Sequence, residues 1–311
     1  MRILLDQRDR DRADGINSAG FVSGYRGSPL GGVDLELWRA KKPLADRRIE
    51  FLPAVNEDLA ATAMLGSQQV ETSPDARRSM ACSASGTARV PGVDRSGDAL
   101  KHGNAYGSSP HGGVLVVAGD DHGCVSSSMP HQSDVAFMAW FMPTLNPASV
   151  AEYLSFGEYG YALSRFFQDV GRASRRSRKR SSPAPRSSCR RAASSIRRRS
   201  NRRRAVCIIA GRIFPVRRSS SAWKPRRTRC WPLPPPIRST AGSTIFRTRH
   251  YGIVTTGKGH LDLMEALQLL GLDRSPNAAR LGIDIYKVGM VWPLAHHDAL
   301  EFVREQTRNP A

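Results

Sequence analysis

No stretch of 18 apolar residues occurs in the 311-residue chain, so the sequence offers no membrane-spanning helix. Cysteine is scarce and unpatterned. Cys82, Cys124, Cys189, Cys207 and Cys230 form no C-x-x-C pair and no even-numbered framework, which argues against disulfides, a zinc knuckle or a self-contained iron–sulfur site. The opening MRILLDQRDRDRADG does not resemble a signal peptide, because a short apolar run gives way at once to charge. These absences predict a reducing, cytoplasmic setting. The most informative absence is acidic: from Gly171 to His250 there is no Asp or Glu, against 25 Lys and Arg.

That block dominates the formal net charge of +20, which taken alone suggests a nucleic acid or another anionic partner. The other 231 residues carry 22 basic against 27 acidic groups and are mildly acidic. An ordinary stretch as long as the block would hold roughly ten acidic side chains. The block is also rich in Ser and Pro and lacks the apolar periodicity that would bury a face. Three readings are open: a disordered basic arm that neutralises phosphates, a surface insertion without a role, or translation in a shifted frame of a GC-rich gene. Composition favours the third. GC-rich codons can be chosen for Trp231 to His250 so that one shifted frame reads as an acidic, soluble segment.

Elsewhere, strand-like and helix-like runs alternate over the first 170 residues, the pattern of a parallel α/β sheet. INSAGFVSGYRGSPLGG gives a short apolar run and a Gly-rich turn, and VDLELWRAKKPLA has helical spacing. IEFLPAV is a second strand. NEDLAATAMLGSQQV is an Ala-rich helix with Asn56 available as its N-cap. GGVLVVAGDDHG is the clearest buried strand, and PTLNPASVAEYLSFGEYGYALSRFF a Pro-marked loop and a helix. Beyond the basic block, YGIVTTGKGHLDLMEALQLLGLD predicts a strand, a turn and a helix ending at glycine, and IDIYKVGMVWPL another strand. That last portion is too small to bury a core alone, and the chain reads as truncated.

Ligands of open parallel sheets bind beyond the carboxyl ends of the strands. Three motifs are expected there: SGYRGSPLGG, VNEDLAATA and AGDDHG. Gly24 and Gly27 permit a sharp turn and close approach to a ligand, and Ser28 with exposed amides would hold an anion or a carbonyl oxygen. A plain βα turn explains the same glycines. Glu57 follows a strand and opens a helix, where its ordinary role, shared with Asp58, is to complement the helix dipole. Asp120 and Asp121 suit a metal, a sugar hydroxyl or a neighbouring loop. His122 and His131 match no compact metal motif and read as loop histidines. GIVTTGKG lacks the hydroxyl of a phosphate-binding loop and its variable positions form a strand, so that reading is rejected.

In this order, NSAGFVSGYRGSPLGGVD, NEDLAATAMLGSQQV, PGVDRSGDALKHGNA, HGGVLVVAGDDHGCVSSSMPHQSD, LNPASVAEYL, YGIVTTGKGHLDLMEAL and YKVGMVWPL resemble the thiamine-diphosphate-dependent 2-oxoacid:ferredoxin oxidoreductases. The fused indolepyruvate ferredoxin oxidoreductases are the nearest pattern, and the resemblance covers about 1–170 and 251–294. It implies an α/β fold whose parallel sheet is the pyrimidine domain of a thiamine-diphosphate-binding protein, followed by a truncated transketolase C-terminal-like α/β unit. The implied boundaries are 1–170 for the pyrimidine domain, with 77–90 anomalous, 171–250 for the basic block and 251–311 for the start of the second unit.

The resemblance further implies that Glu57 is the catalytic carboxylate that hydrogen-bonds N1′ of the aminopyrimidine. A carboxyl group sharing a proton with that nitrogen favours the imino tautomer, whose nitrogen acts as base. Gly27 and Ser28 are implied beside the cofactor, and Tyr25, Arg26 and Ser28 beside the substrate. Indolepyruvate or a related aryl or branched 2-oxoacid is the implied substrate, coenzyme A the co-substrate and ferredoxin the electron acceptor. Magnesium and iron–sulfur clusters are implied in domains this chain lacks; no metal ligand is assigned here. The expected partners are those remaining domains and further copies of the complete enzyme, with no membrane and no specific nucleic acid. The chain alone is expected to be inactive. ACSASGTARV (Ala81 to Val90) departs from the family's glycine-rich pattern, which plausible codons shifted by one base can reproduce, so a second frame error is expected near Arg77 to Val90. The rival readings are a basic nucleic-acid-binding module on an α/β domain and another thiamine-dependent decarboxylase.

Overall fold

A computed structural model describes residues 1–27, 30–69, 81–109, 111–121, 123–124, 129–176, 251–272 and 282–307. Most of the basic block, from 177 to 250, therefore lies outside the described residues, as does the expectation attached to it. The described residues divide into two compact units: the first comprises Met1–Phe141 and the chain from Gly157, the second Met142–Phe156 and the C-terminal portion.

The first unit is α/β. Its elements are α1 (Arg2–Ala13), β1 (Ser18–Gly24), α2 (Gly31–Arg39), α3 (Lys41–Asp46), β2 (Ile49–Phe51), α4 (Glu57–Ser67), β3 (Ala81–Arg89), α5 (Val90–Arg95), α6 (Gly97–Tyr106), β4 (Gly113–Gly119) and α7 (Ser133–Ala139). Four strands pair in the order β2-β1-β3-β4, all parallel. In this order β1 connects to β2 on one side, and the chain then crosses back to β3 on the other. Right-handed crossovers in opposite directions put helices on both faces of such a sheet. The reversal also leaves a crevice between the carboxyl ends of β1 and β3.

One core cluster joins Leu4, Val22, Leu37, Ala40, Leu44, Ile49 and Tyr161, with Phe51 and Leu115 packed against it. Close packing is set by glycine where strands and helices approach most nearly. A Cβ at Gly20 would fall 2.7 Å from Ile49 Cγ1, and one at Gly97 2.7 Å from Trp140. Helix α4 buries Ala60, Ala61 and Met64 against β1 and β3.

Helix α1 has an unusual inner face. Leu4, Gln7, Arg8 and Asp11, at helical spacing, are its buried residues. Asp11, 1 % exposed, accepts hydrogen bonds from Gln7 Nε2 at 2.8 Å, Ser18 Oγ at 2.6 Å and the Arg165 guanidinium at 2.6 and 2.8 Å. Arg165 Nε donates to the Gly112 carbonyl at 2.6 Å, and Arg8 donates to Ser18 Oγ at 2.6 Å and to the Arg47 carbonyl at 2.8 Å. The network ties α1, the helix carrying Arg165 and the amino ends of β1 and β4, so this end of the sheet is satisfied from within.

The second unit contains β5 (Thr144–Leu145), the start of α8 (Val150–Arg176), β6 (Tyr251–Thr256), α9 (Gly257–Leu269), β7 (Ile283–Val288), β8 (Met290–Trp292) and α10 (His296–Thr307). β6 and β7 pair in parallel, β5 and β8 antiparallel. Tyr286 stacks on Phe302 at 5.2 Å between ring centres within a small core with Val288.

Three sequence expectations need correction. GGVLVVAG, expected as the clearest buried strand, is β4 at the edge of the sheet and is half-buried along most of its length. IDIYKVGMVW, expected as one strand, forms β7 and β8 in separate sheets. The helix expected within PTLNPASVAEYLSFGEYGYALSRFF runs on beyond it to Arg176, inside the basic block. ACSASGTAR, singled out as anomalous, supplies the backbone of β3, in continuous register with β1 and β4.

Candidate functional site

Of the sequence-derived residues, Glu57 and the Tyr25–Gly27 turn lie at the carboxyl end of β1. Leu52 N donates to the Val22 carbonyl and Ala54 N to the Gly24 carbonyl, both at 2.9 Å, so the segment entering α4 runs beside the end of β1. Asn56 then takes an extended conformation, and its side chain accepts from Leu59 N at 2.8 Å. A cap of this kind contributes about 1 kcal/mol. It fixes where α4 begins and thereby where Glu57 stands.

Glu57 is 7 % exposed. Its carboxyl group lies against Gly92, in the short helix that follows β3 directly. A Cβ at Gly92 would fall 2.1 Å from Glu57 Cδ and 2.3 Å from Oε1, so a larger residue there would require the carboxyl group or its neighbour to shift. Among the described residues the Glu57 carboxylate makes no hydrogen bond or ion pair. A carboxylate so placed has acceptor capacity to spare for a ligand that donates to it. Asp58, beside it in the first turn, is the alternative dipole partner the sequence allowed.

The turn after β1 carries Tyr25, Arg26 and Gly27, the first two exposed and Gly27 half-buried. Ser28, expected to touch both cofactor and substrate, lies outside the described residues. The Arg26 charge is felt by Asp34, in the first turn of α2. Burial pushes the Asp34 carboxyl up, and Arg26 partly offsets this. Glu57 and the Tyr25–Gly27 turn thus both lie at the carboxyl end of the sheet.

The third motif is used differently. Asp120 accepts from Ser133 N at 2.8 Å and from Ser133 Oγ at 2.5 Å, so it anchors the start of α7. Of the roles open to it in the sequence, the neighbouring loop is the one it fills. His131 Nε2 lies 2.5 Å from Asp94 Oδ2. His122 lies outside the described residues. In the second unit, the rejected phosphate loop is a strand followed by a helix. Lys258 is exposed and pairs with Asp262 one turn on.

Sequence reasoning missed Gly92 and Asp34. Gly92 stood in a quoted motif, but nothing local distinguishes it from other helix-breaking glycines. His297, Asp298 and Glu301 bring metal-ligand atoms within 4.8 Å of one another on the first turn of α10. His297 and Glu301 are exposed there, as solvated helix starts commonly are. Among the described residues no helix is long and apolar enough to cross a membrane.

Comparison with curated proteins finds no match. Residues 245–306, in the second unit, match the family model described as an indolepyruvate oxidoreductase domain, which links the chain to an oxidoreductase family.

Proposed function

We propose that the first unit is the pyrimidine-binding half of a thiamine-diphosphate site, in an oxidoreductase that decarboxylates indolepyruvate or a related 2-oxoacid and passes electrons to ferredoxin. The observation that carries this reading is Glu57, 7 % exposed and without a hydrogen bond among the described residues, at the carboxyl end of a parallel sheet. The oxidoreductase-domain match at 245–306 supports it independently.

The residues present fit part of the cofactor. Glu57 would hold N1′ of the aminopyrimidine, sharing a proton with it, with the Gly92 backbone packed against its carboxyl group. Thiamine diphosphate supplies the chemistry that cleaves the bond between the carboxylate and the 2-keto carbon. Arg26, exposed in the turn after β1, would attract the substrate's carboxylate. Gly27 lets the backbone approach, and Tyr25 and Ser28 would complete the substrate side. Among the described residues no set suited to a magnesium diphosphate accompanies Glu57. That function, coenzyme A and the iron–sulfur clusters belong in this reading to further domains.

The test is a calorimetric titration of thiamine into the whole chain and into Glu57→Gln. The wild-type chain should bind weakly and the variant at least tenfold more weakly still, the cost of one charge-assisted hydrogen bond being about 1.5–3 kcal/mol. Equal affinity in both proteins would refute the assignment of Glu57. A salt titration with duplex DNA addresses the rival reading: sequence-independent, salt-sensitive binding is the expected behaviour of the basic block alone.

A further inference from the structure

The second unit contains a buried charged cluster that the proposed function does not use. Lys287 on β7, 2 % exposed, forms an ion pair with Glu152 on α8. Glu152 also accepts from Ala148 N at 2.7 Å. Beside this pair, in the first turn of α9, sits His260, 6 % exposed, with its Nδ1 3.0 Å from Thr255 Oγ1 at the end of β6. Lys287 and Glu152 are the charged groups that act on His260 from the elements packed around it.

With His260 neutral, the cluster balances one ammonium against one carboxylate. A protonated His260 would add a second cation with no second anion. Its position makes the excess worse, because the first turn of a helix presents the positive end of the dipole. Gly257, which opens α9 at φ +51°, is pressed against the Asn146 side chain, so a Cβ there would fall 2.6 Å from Asn146 Oδ1. The first turn therefore has little room to shift while the imidazole stays inside.

We propose that His260 is an acid-sensitive latch: neutral, it seals the first turn of α9 onto β6 and the Glu152–Lys287 pair, and on protonation it leaves the cluster and frees that turn. Burial first, and the Lys287 charge second, hold the imidazole below the ordinary histidine range, while Glu152 opposes them. The sign follows. Because protonation is harder in the folded state, the contribution of His260 is fully present above the unfolded value of about 6.5 and is lost as pH falls below it. The latch makes this unit's order depend on pH in the range where histidine alone titrates.

Hydrogen exchange of the whole chain at pH 7.5 and pH 5, corrected for intrinsic rates, tests the proposal. Peptides covering residues 257–264 should lose protection severalfold on acidification, each pH unit below the folded-state midpoint raising the protonated-to-neutral ratio about tenfold. In His260→Gln, which keeps a side-chain group near Thr255 but cannot titrate, protection should not change with pH. Unchanged protection in the wild-type chain would overturn the latch. So would an equal loss in the variant. If His260→Gln leaves α9 unprotected at both pH values, NMR titration of the wild-type His260 ring decides. A midpoint below the ordinary value of about 6.5 supports the latch and one at or above it refutes it.

Discussion

Replacing Gly92 by alanine is the sharpest structural test of the candidate site. A new Cβ would fall 2.1 Å from Glu57 Cδ and 2.3 Å from Cγ, well inside van der Waals contact. Either α5 moves away from α4, or the Glu57 side chain leaves its buried position. Overpacking of this kind costs about 1–3 kcal/mol. Alanine in a helix is otherwise worth about 1 kcal/mol over glycine. The net effect in the wild-type background is therefore about 0–2 kcal/mol of destabilisation, measured by urea unfolding. In a Glu57→Ala background the obstruction is gone, and Gly92→Ala should stabilise by about 1 kcal/mol. The two changes should thus be coupled by roughly 1–3 kcal/mol, as expected for groups in direct contact. Gly92→Ala should also weaken thiamine binding as much as Glu57→Gln does. Strict additivity in the cycle would refute the packing of Glu57 against Gly92.

The Asp11 network gives a second prediction. Asp11→Ala leaves the Arg165 guanidinium, 10 % exposed, without its carboxylate and should cost about 3–5 kcal/mol, whereas Asp11→Leu with Arg165→Met should recover most of that loss. A cost below 1 kcal/mol would show that water or another group replaces the carboxylate. A third concerns Glu152. Burial opposes its ionisation, but Lys287 and the Ala148 N–H prevail and hold its carboxyl below the ordinary range. Its stabilisation is therefore present above an unfolded value of about 4.3 and lost as pH falls through the lowered folded value. The denaturation midpoint of the second unit should drop across that window in the wild-type chain. In Glu152→Gln it should be lower at neutral pH, where Lys287 is left buried and unpaired, and nearly flat in acid.

Much of the sheet was legible because parallel strands are written as apolar runs and their ends as glycine or acidic turns. β1, β4, β6 and the α4 start at Asn56 and Glu57 all followed from such local patterns. Helix α1 did not. Its inner face is Gln7, Arg8 and Asp11, and its stability depends on Arg165, which is 154 positions from Asp11 in the sequence. No periodicity of apolar residues records a contact of that kind. β3 was hidden for a different reason: ACSASGTAR has small, polar side chains, and its strand character comes from pairing with β1 and β4 on both sides. The candidate site was legible as a carboxylate at the mouth of a sheet. Its other wall, Gly92, was not, because the requirement for glycine arises from a side chain 35 residues away.

The central claim is that the Glu57 carboxyl faces a ring nitrogen of an aminopyrimidine. Thiamine labelled with nitrogen-15 at N1′, bound to the whole chain and observed by NMR, tests it directly. The account predicts a bound-state shift characteristic of a nitrogen sharing a proton with a carboxyl group, absent in Glu57→Gln. A bound signal that is the same in both proteins, or unchanged from free thiamine, would contradict it.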